Sequence, residues 1–195
     1  MAKVIAPLFS FGARGKLGDA LVYFPWKGIH AVRTYVIPAN PNSAGQQTQR
    51  GYLGNAVTDW HDIGLIPLDV IAWDRHAATR PSSMSGFNSF VKDHLALQIG
   101  GDTPDMGFAA TVVDDADNTF TMTIDEDGAA VSVNLQWGTS PTALINTEVA
   151  TEAVDVWTAD PADNVQGQTI YGRFEISDGG GIIGYTGIYR LVMAP

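Results

Sequence analysis

The stretch GKLGDALVYFPWKGIHAVRTYVIPANPNSAGQQTQR, residues 15–50, organises the reading of the whole chain. Gly15 and Gly18 bracket a turn, where glycine takes backbone angles that other residues resist. Two runs rich in β-branched and aromatic side chains follow, residues 20–26 and 29–36, with Lys27-Gly28 between them as a short hairpin turn. Pro25 removes a ladder donor, so its side of the first strand is expected at an edge. In the second strand Ile29, Ala31, Arg33 and Tyr35 share one face, while His30, Val32, Thr34 and Val36 share the other. Neither face is cleanly polar. A lone two-stranded ribbon is marginal in water, so this one is expected to need cover from its own helices or from another subunit. The residues nominated for an assembly interface are Leu21, Tyr23, Trp26, Ile29, Val32, Arg33 and Tyr35 on the ribbon, with Gln46 and Arg50 beyond it. Pro38-Ala39-Asn40-Pro41 forces an extended exit. Ser43 is placed to cap a helix on which Gln46 and Arg50 share a face.

Working outward, residues 43–61 read as that helix, with Leu53, Ala56, Val57 and Trp60 at helical spacing and Gly51 and Gly54 weakening it. A second helix is predicted over 67–78 with Leu68, Val70, Ile71 and Trp73 inward. A third is capped by Ser85, with Phe87, Phe90, Val91 and Leu95 on one face. Trp60, Trp73, Phe87 and Phe90 are expected as core anchors, since aromatic side chains mostly supply buried area. Residues 1–14 are apolar and read equally as a strand or as an arm.

The ordered pattern resembles a family of small phage and prophage proteins of structural type. In that family a Gly-rich ribbon precedes a Pro-x-Thr-x-x-Gln-x-x-x-Arg helix start, two Trp-bearing helices and a Gly-Phe helix. The matching residues are Gly15, Gly18, Gly28, Arg33, Pro38, Asn40, Pro41, Ser43, Gln46, Arg50, Trp60, Trp73, Gly86 and Phe87, about the first half of the chain. The resemblance implies a virion context rather than a defined activity. Ile66-Pro67 departs from the family's Leu-Thr type cap, although proline suits a first helical position.

Residues 99–106 read as a Gly/Pro/Asp linker, and the composition changes there. From 107 onward seven short strands are predicted, over 107–113, 119–124, 130–137, 143–149, 153–158, 168–177 and 182–193. That spacing predicts a β-sandwich. The run from Val131 to Pro141, the strand entry Gln168-Thr169-Ile170-Tyr171 and the Gly-rich final hairpin into Ile188–Val192 resemble a fibronectin type III-like domain. The resemblance places Tyr171 at a tyrosine corner, its hydroxyl bonded to nearby backbone. The expected fold class is therefore α+β. A β-hairpin and three-helix assembly domain occupies 1–98, a linker 99–106, and an all-β immunoglobulin/fibronectin III-like sandwich 107–195.

Composition narrows the functional classes. The chain has 195 residues, 45% of them hydrophobic, enough for a real core. It has no cysteine, which removes disulfides, thiol catalysis and cysteine-bound zinc. No apolar run approaches the roughly 20 residues of a membrane span, and the first fifteen residues lack the pattern of a signal peptide. Charge is strongly asymmetric: residues 1–100 hold 9 Lys and Arg against 6 Asp and Glu, whereas residues 101–195 hold 2 against 15.

Candidate chemistries are sparse. His30, His61, His76 and His94 are scattered and form no zinc motif, so surface or capped histidine is expected. Asp114, Asp115 and Asp117, and Asp125-Glu126-Asp127-Gly128, read as solvated turns; the second cluster is too short for a calcium loop. Ser82-Ser83-Met84-Ser85-Gly86 is not a nucleophile elbow. The basic and aromatic residues of 1–58 form a mild patch, but the acidic whole repels phosphate, so nucleic acid is not an expected partner.

The reading is a non-enzymatic structural subunit of a phage-like particle, tail or capsid-associated, located in the virion. Its expected partners are copies of itself and other virion proteins, in a homo-oligomer with no cofactor, metal or small-molecule substrate. The alternatives are an extracellular filament or adhesion subunit whose sandwich binds glycans or protein partners, and a hydrolase, which would need paired carboxylates in a cleft.

Overall fold

The computed structural model describes residues 2–3, 14–37, 39–40, 42–112, 120–123, 132–153, 156–159 and 168–192. The chain divides into two compact units, Met1–Ser43 and Ala44–Pro195.

In the first unit the Lys27-Gly28 turn fixes the register. Both residues take positive φ, 48° and 79°, the conformation whose twist matches the flanking strands. They join β3 (Leu21–Trp26) to β4 (Ile29–Thr34), with Trp26 opposite Ile29 and Leu21 opposite Thr34. Two short strands flank this hairpin, β1 (Ala2–Lys3) against β4 and β2 (Gly15–Leu17) against β3. The expected two-stranded ribbon is thus the centre of a four-stranded sheet, ordered β1-β4-β3-β2. Residues 15–17 are extended, and the turn begins at Gly18, φ 56°. Among the described residues the β2 pairing reaches Tyr23, and Pro25 lies beyond it, where its missing N–H removes no described ladder bond.

The second unit opens with three helices, α1 (Ala44–Asp62), α2 (Pro67–Thr79) and α3 (Gly86–Gly100). Proline occupies the first helical position of α2, and the missing Ser/Thr cap is replaced from inside the helix. The Ile66 N–H donates to Asp69 Oδ2 at 2.9 Å. Ser85 caps α3 by accepting from the Asn88 N–H, and Gly101, φ 101°, ends it. Trp60, Trp73, Phe87 and Phe90 meet edge to face at centroid distances of 5.1–5.5 Å. The inward face of α2 differs from the expectation. Val70 and Ile71 are exposed, and the buried stripe is Asp69, Ala72, Trp73, His76 and Ala77. It follows the helical period from Trp73, but two of its members are polar. Leu53 is likewise exposed on α1, where Ala56 is buried.

Among the described residues nine strands follow: β5 (Phe108–Val112), β6 (Phe120–Thr123), β7 (Ser132–Gly138), β8 (Asn146–Val149), β9 (Thr151–Ala153), β10 (Val156–Ala159), β11 (Thr169–Ser177), β12 (Ile182–Tyr185) and β13 (Tyr189–Val192). They form two antiparallel sheets. One is ordered β5-β6-β10-β9; the other is β12-β11-β7-β8, with β13 also on β11. Val133, Leu135, Ile170, Phe174 and Ile176 from the second sheet share a core with Ala110, Trp157 and Ala159 from the first and with Ala72 of α2. The strand expected over 182–193 is broken into β12 and β13 by Thr186-Gly187-Ile188. Thr186 Oγ1 accepts from the Phe174 N–H, and the Ile188 N–H donates to the Ala72 carbonyl at 3.0 Å. A Cβ on Gly187 would lie 2.5 Å from the Ala72–Trp73 backbone, so only glycine allows this approach of strand end to helix.

The expected linker at 99–106 lies inside the second unit. The Asp105 N–H donates to the Ile183 carbonyl at 2.9 Å, and Met106 is buried with Trp73, Phe90 and Leu97. Its Gly/Pro/Asp composition serves a packed crossing rather than a solvated connector. Among the described residues no helix is long and apolar enough to cross a membrane.

Candidate functional site

Strand alternation divides the side chains of the 1–43 sheet between two faces. The register places Leu17, Leu21, Tyr23, His30 and Val32 on one, and Lys16, Phe24, Trp26, Ile29 and Arg33 on the other. Tyr35 joins the second face, for the Lys16 ammonium lies 4.3 Å from its ring centroid. The Arg33 guanidinium lies 5.5 Å from the Phe24 centroid on the same side. Among the described residues one face is therefore mostly apolar, with His30 and Thr34 on it and no Lys, Arg, Asp or Glu, and the other is aromatic and basic. Among the described residues of this unit only Ala31 is buried. Trp26 is 56% exposed, Leu17 46% and Ile29 45%, which leaves apolar area open on both sides of the sheet.

The seven ribbon residues nominated from sequence are thus brought into one sheet but split between its faces. Leu21, Tyr23 and Val32 lie on the uncharged face; Trp26, Ile29, Arg33 and Tyr35 lie on the basic one. Gln46 and Arg50 are exposed on the first two turns of α1, in the other unit. The nominated interface left out Lys16, counted only in the mild basic patch, and Phe24. The two-residue turn carried the signal, because it fixes Phe24 opposite Ala31 and hence beside Arg33.

The second unit holds a buried polar seam that hydrophobic patterning overlooked. His76 Nδ1 lies 3.3 Å from Ser89 Oγ and 3.7 Å from Asp93 Oδ2. Arg80 Nε donates to Ser89 Oγ, and its terminal nitrogen bonds Asp93. Arg173 Nη2 reaches the other Asp93 oxygen at 3.4 Å, its Nε donates to the Thr186 carbonyl, and the guanidinium covers the Tyr185 ring at 4.0 Å. Serine, histidine and aspartate are the components of a nucleophilic triad, but both contacts fall on the same imidazole nitrogen and Ser89 is fully buried. A relay needs one partner on each nitrogen, so this group joins α2, α3 and β11 mechanically. Burial first, and then the charges of Arg173, Arg80 and Lys92, lower the His76 pKa to about 3. The imidazole is therefore neutral at physiological pH and its approach to Asp93 is not an ion pair.

His94 is also fully buried, with Nε2 2.5 Å from Asp59 Oδ2. Two of the four histidines thus sit inside the protein, contrary to the expected surface or capped positions. Asp69, fully buried, accepts from the Ala110 N–H and from the Tyr189 hydroxyl at 2.6 Å. Burial, followed by the Asp69 charge and hydrogen bond, raises the Tyr189 pKa well above its ordinary value. Tyr171 is expected at a tyrosine corner, and residues 160–167, the backbone just upstream of it, lie outside the described set. The acidic turns at 114–117 and 125–128 also lie outside it. Among the described residues no three His, Asp or Glu side chains stand together as a metal cage. A shallow recess of about 250 Å³ is lined by His76, Thr79, Pro141, Thr142, Leu144, Arg173 and Ile188.

The chain matches no family model and no curated protein.

Proposed function

We propose that the chain is a non-enzymatic structural subunit of a phage-like particle, tail or capsid-associated, that self-assembles through the 1–43 sheet. One observation carries the reading: a four-stranded sheet with apolar side chains on both faces and one buried residue among those described. A sheet normally buries at least one face, so a layer this open calls for another chain to cover it. The virion context rests on the ordered pattern from Gly15 to Phe87.

The second unit, in this proposal, carries an immunoglobulin/fibronectin III-like sandwich. Its sheet orders β5-β6-β10-β9 and β12-β11-β7-β8 correspond to the A-B-E-D and G-F-C-C′ arrangement of such domains, and their shared core supports the same reading. The fold by itself assigns no activity. An adhesion subunit would use an aromatic-walled groove on this unit, and the recess beside His76 has no Trp, Tyr or Phe in its wall.

Sedimentation velocity and negative-stain electron microscopy of the full chain test the proposal. Concentration-dependent growth into rings, tubes or discrete oligomers is expected. A strict monomer at high concentration, at both low and high salt, would overturn it.

A further inference from the structure

We propose that the basic-aromatic face of the 1–43 sheet docks on the 44–195 unit of a second copy of this chain, so that copies join head to tail. The inference rests on the assembly reading above and adds the face and the partner. Three observations carry it.

The first is the segregation of charge by face. Lys16 and Arg33 both project on the side of Phe24, Trp26, Ile29 and Tyr35, and among the described residues of these strands the opposite face carries no Lys, Arg, Asp or Glu. Arg33 has no carboxylate partner among the described residues, while Lys16 shares Asp19 at 2.6 Å in an exposed setting. The second is the charge of the two units. Residues 1–43 hold five Lys and Arg against one acid, and residues 44–195 hold six against twenty Asp and Glu. Each copy therefore supplies both halves of a complementary pair, at equal concentration. The third is a receiving patch. Ile145 is 83% exposed and Val149 69%, at the outer edge of the β12-β11-β7-β8 sheet. The β8 alternation puts Thr147 and Val149 on the same side as Asn134 and Gln136. Trp26 and Ile29 at the hairpin tip offer apolar area of the kind these two side chains need covered. Because the two surfaces differ, the contact is heterologous: it closes into a ring or propagates as a filament.

A basic-aromatic sheet face also suits single-stranded nucleic acid. The net charge of −10 opposes a polyanion at range and favours a second copy instead.

The test uses the full chain in two blocked forms. Trp26→Ala/Arg33→Glu disables the basic face, and Ile145→Lys/Val149→Lys disables the receiving patch; circular dichroism and melting establish that both fold. Each variant alone is expected to sediment as a monomer, and an equimolar mixture to give 1:1 dimers that grow no further. Wild-type association is expected to weaken roughly tenfold or more between low and high salt. Assembly by the Trp26→Ala/Arg33→Glu variant, or a mixture of folded variants that stays monomeric, overturns the inference. If Leu21→Asp/Val32→Asp abolishes assembly while Trp26→Ala/Arg33→Glu does not, the uncharged face is the interface. In that case the assembly reading survives and the present one fails. A monomeric wild type ends both. Binding of a labelled oligothymidine that is lost with Arg33→Glu, without self-association, would assign the face to nucleic acid instead.

Discussion

Replacing Asp69 with alanine would take the acceptor away from three donors at once. In the native chain its carboxylate receives the Ile66 N–H at 2.9 Å, the Tyr189 hydroxyl at 2.6 Å and, more loosely, the Ala110 N–H at 3.3 Å. Those donors belong to the start of α2, to β13 and to β5. Hydrogen bonds to a charged acceptor contribute about 1.5–3 kcal/mol each, and each buried donor left unpaired costs about 1–3 kcal/mol. Against this stands the desolvation cost of the carboxylate, relieved when it is removed. The net loss expected is about 3–5 kcal/mol, a large part of the stability of an ordinary domain. Tyr189→Phe alone should cost about 1–3 kcal/mol, and the double variant should fall short of the sum by about 0.5–3 kcal/mol. Guanidinium unfolding, followed by tryptophan fluorescence and far-UV circular dichroism, measures all three. The two signals should move together, because one carboxylate ties helix to strands. An Asp69→Ala variant within 1 kcal/mol of wild type, or helices that melt while the strands persist, would refute the reasoning.

Gly187→Ala places a methyl 2.5 Å from the Ala72–Trp73 backbone, and should cost about 1–3 kcal/mol or more, seen as a lower calorimetric midpoint. The His76 pKa is about 3 in the folded chain against an ordinary 6.5, so the unfolded chain takes up a proton the folded one refuses. Stability is fully present above pH 6.5 and should fall by about 1.4 kcal/mol per pH unit towards pH 3; His76→Gln should flatten that slope in denaturant titrations across this range. Ser85→Ala removes the acceptor for the Asn88 N–H and should lower stability by about 1 kcal/mol, whereas Ser83→Ala, at a position with no described cap, should leave the midpoint unchanged.

The elements of this fold were legible where one local rule decides. The Lys27-Gly28 turn, Pro67 opening α2, Ser85 capping α3 and the aromatic quartet around Phe90 all follow from short-range chemistry. What stayed hidden depends on partners far along the chain. Asp69 and His76 occupy a helix face that hydrophobicity would give to Val70 and Ile71, because their bonding partners Tyr189 and Ser89 lie 120 and 13 residues away. The segment 99–106 has a linker's composition, yet Gly184 is what lets it pack: a Cβ there would meet the Asp105 carbonyl oxygen at 1.4 Å. The division at residue 43 was hidden for the same reason, since the bonds that tie α2 to β5 and β13 cross the composition change. On the ribbon, the apolar character was readable. The segregation of Lys16 and Arg33 to one face required the register.

Strand β11 alternates half-buried and buried over all nine residues, with Ile170, Gly172, Phe174 and Ile176 inward. A period of two has no tolerance for phase: a single inserted or deleted residue between 169 and 177 would turn the core outward on one side of the change. Substitutions can accumulate in this strand while its length cannot drift, so variation in length must collect in the connecting turns. In distant chains of this architecture, the spacing of inward residues along the equivalent strand would remain countable after their identities had ceased to match.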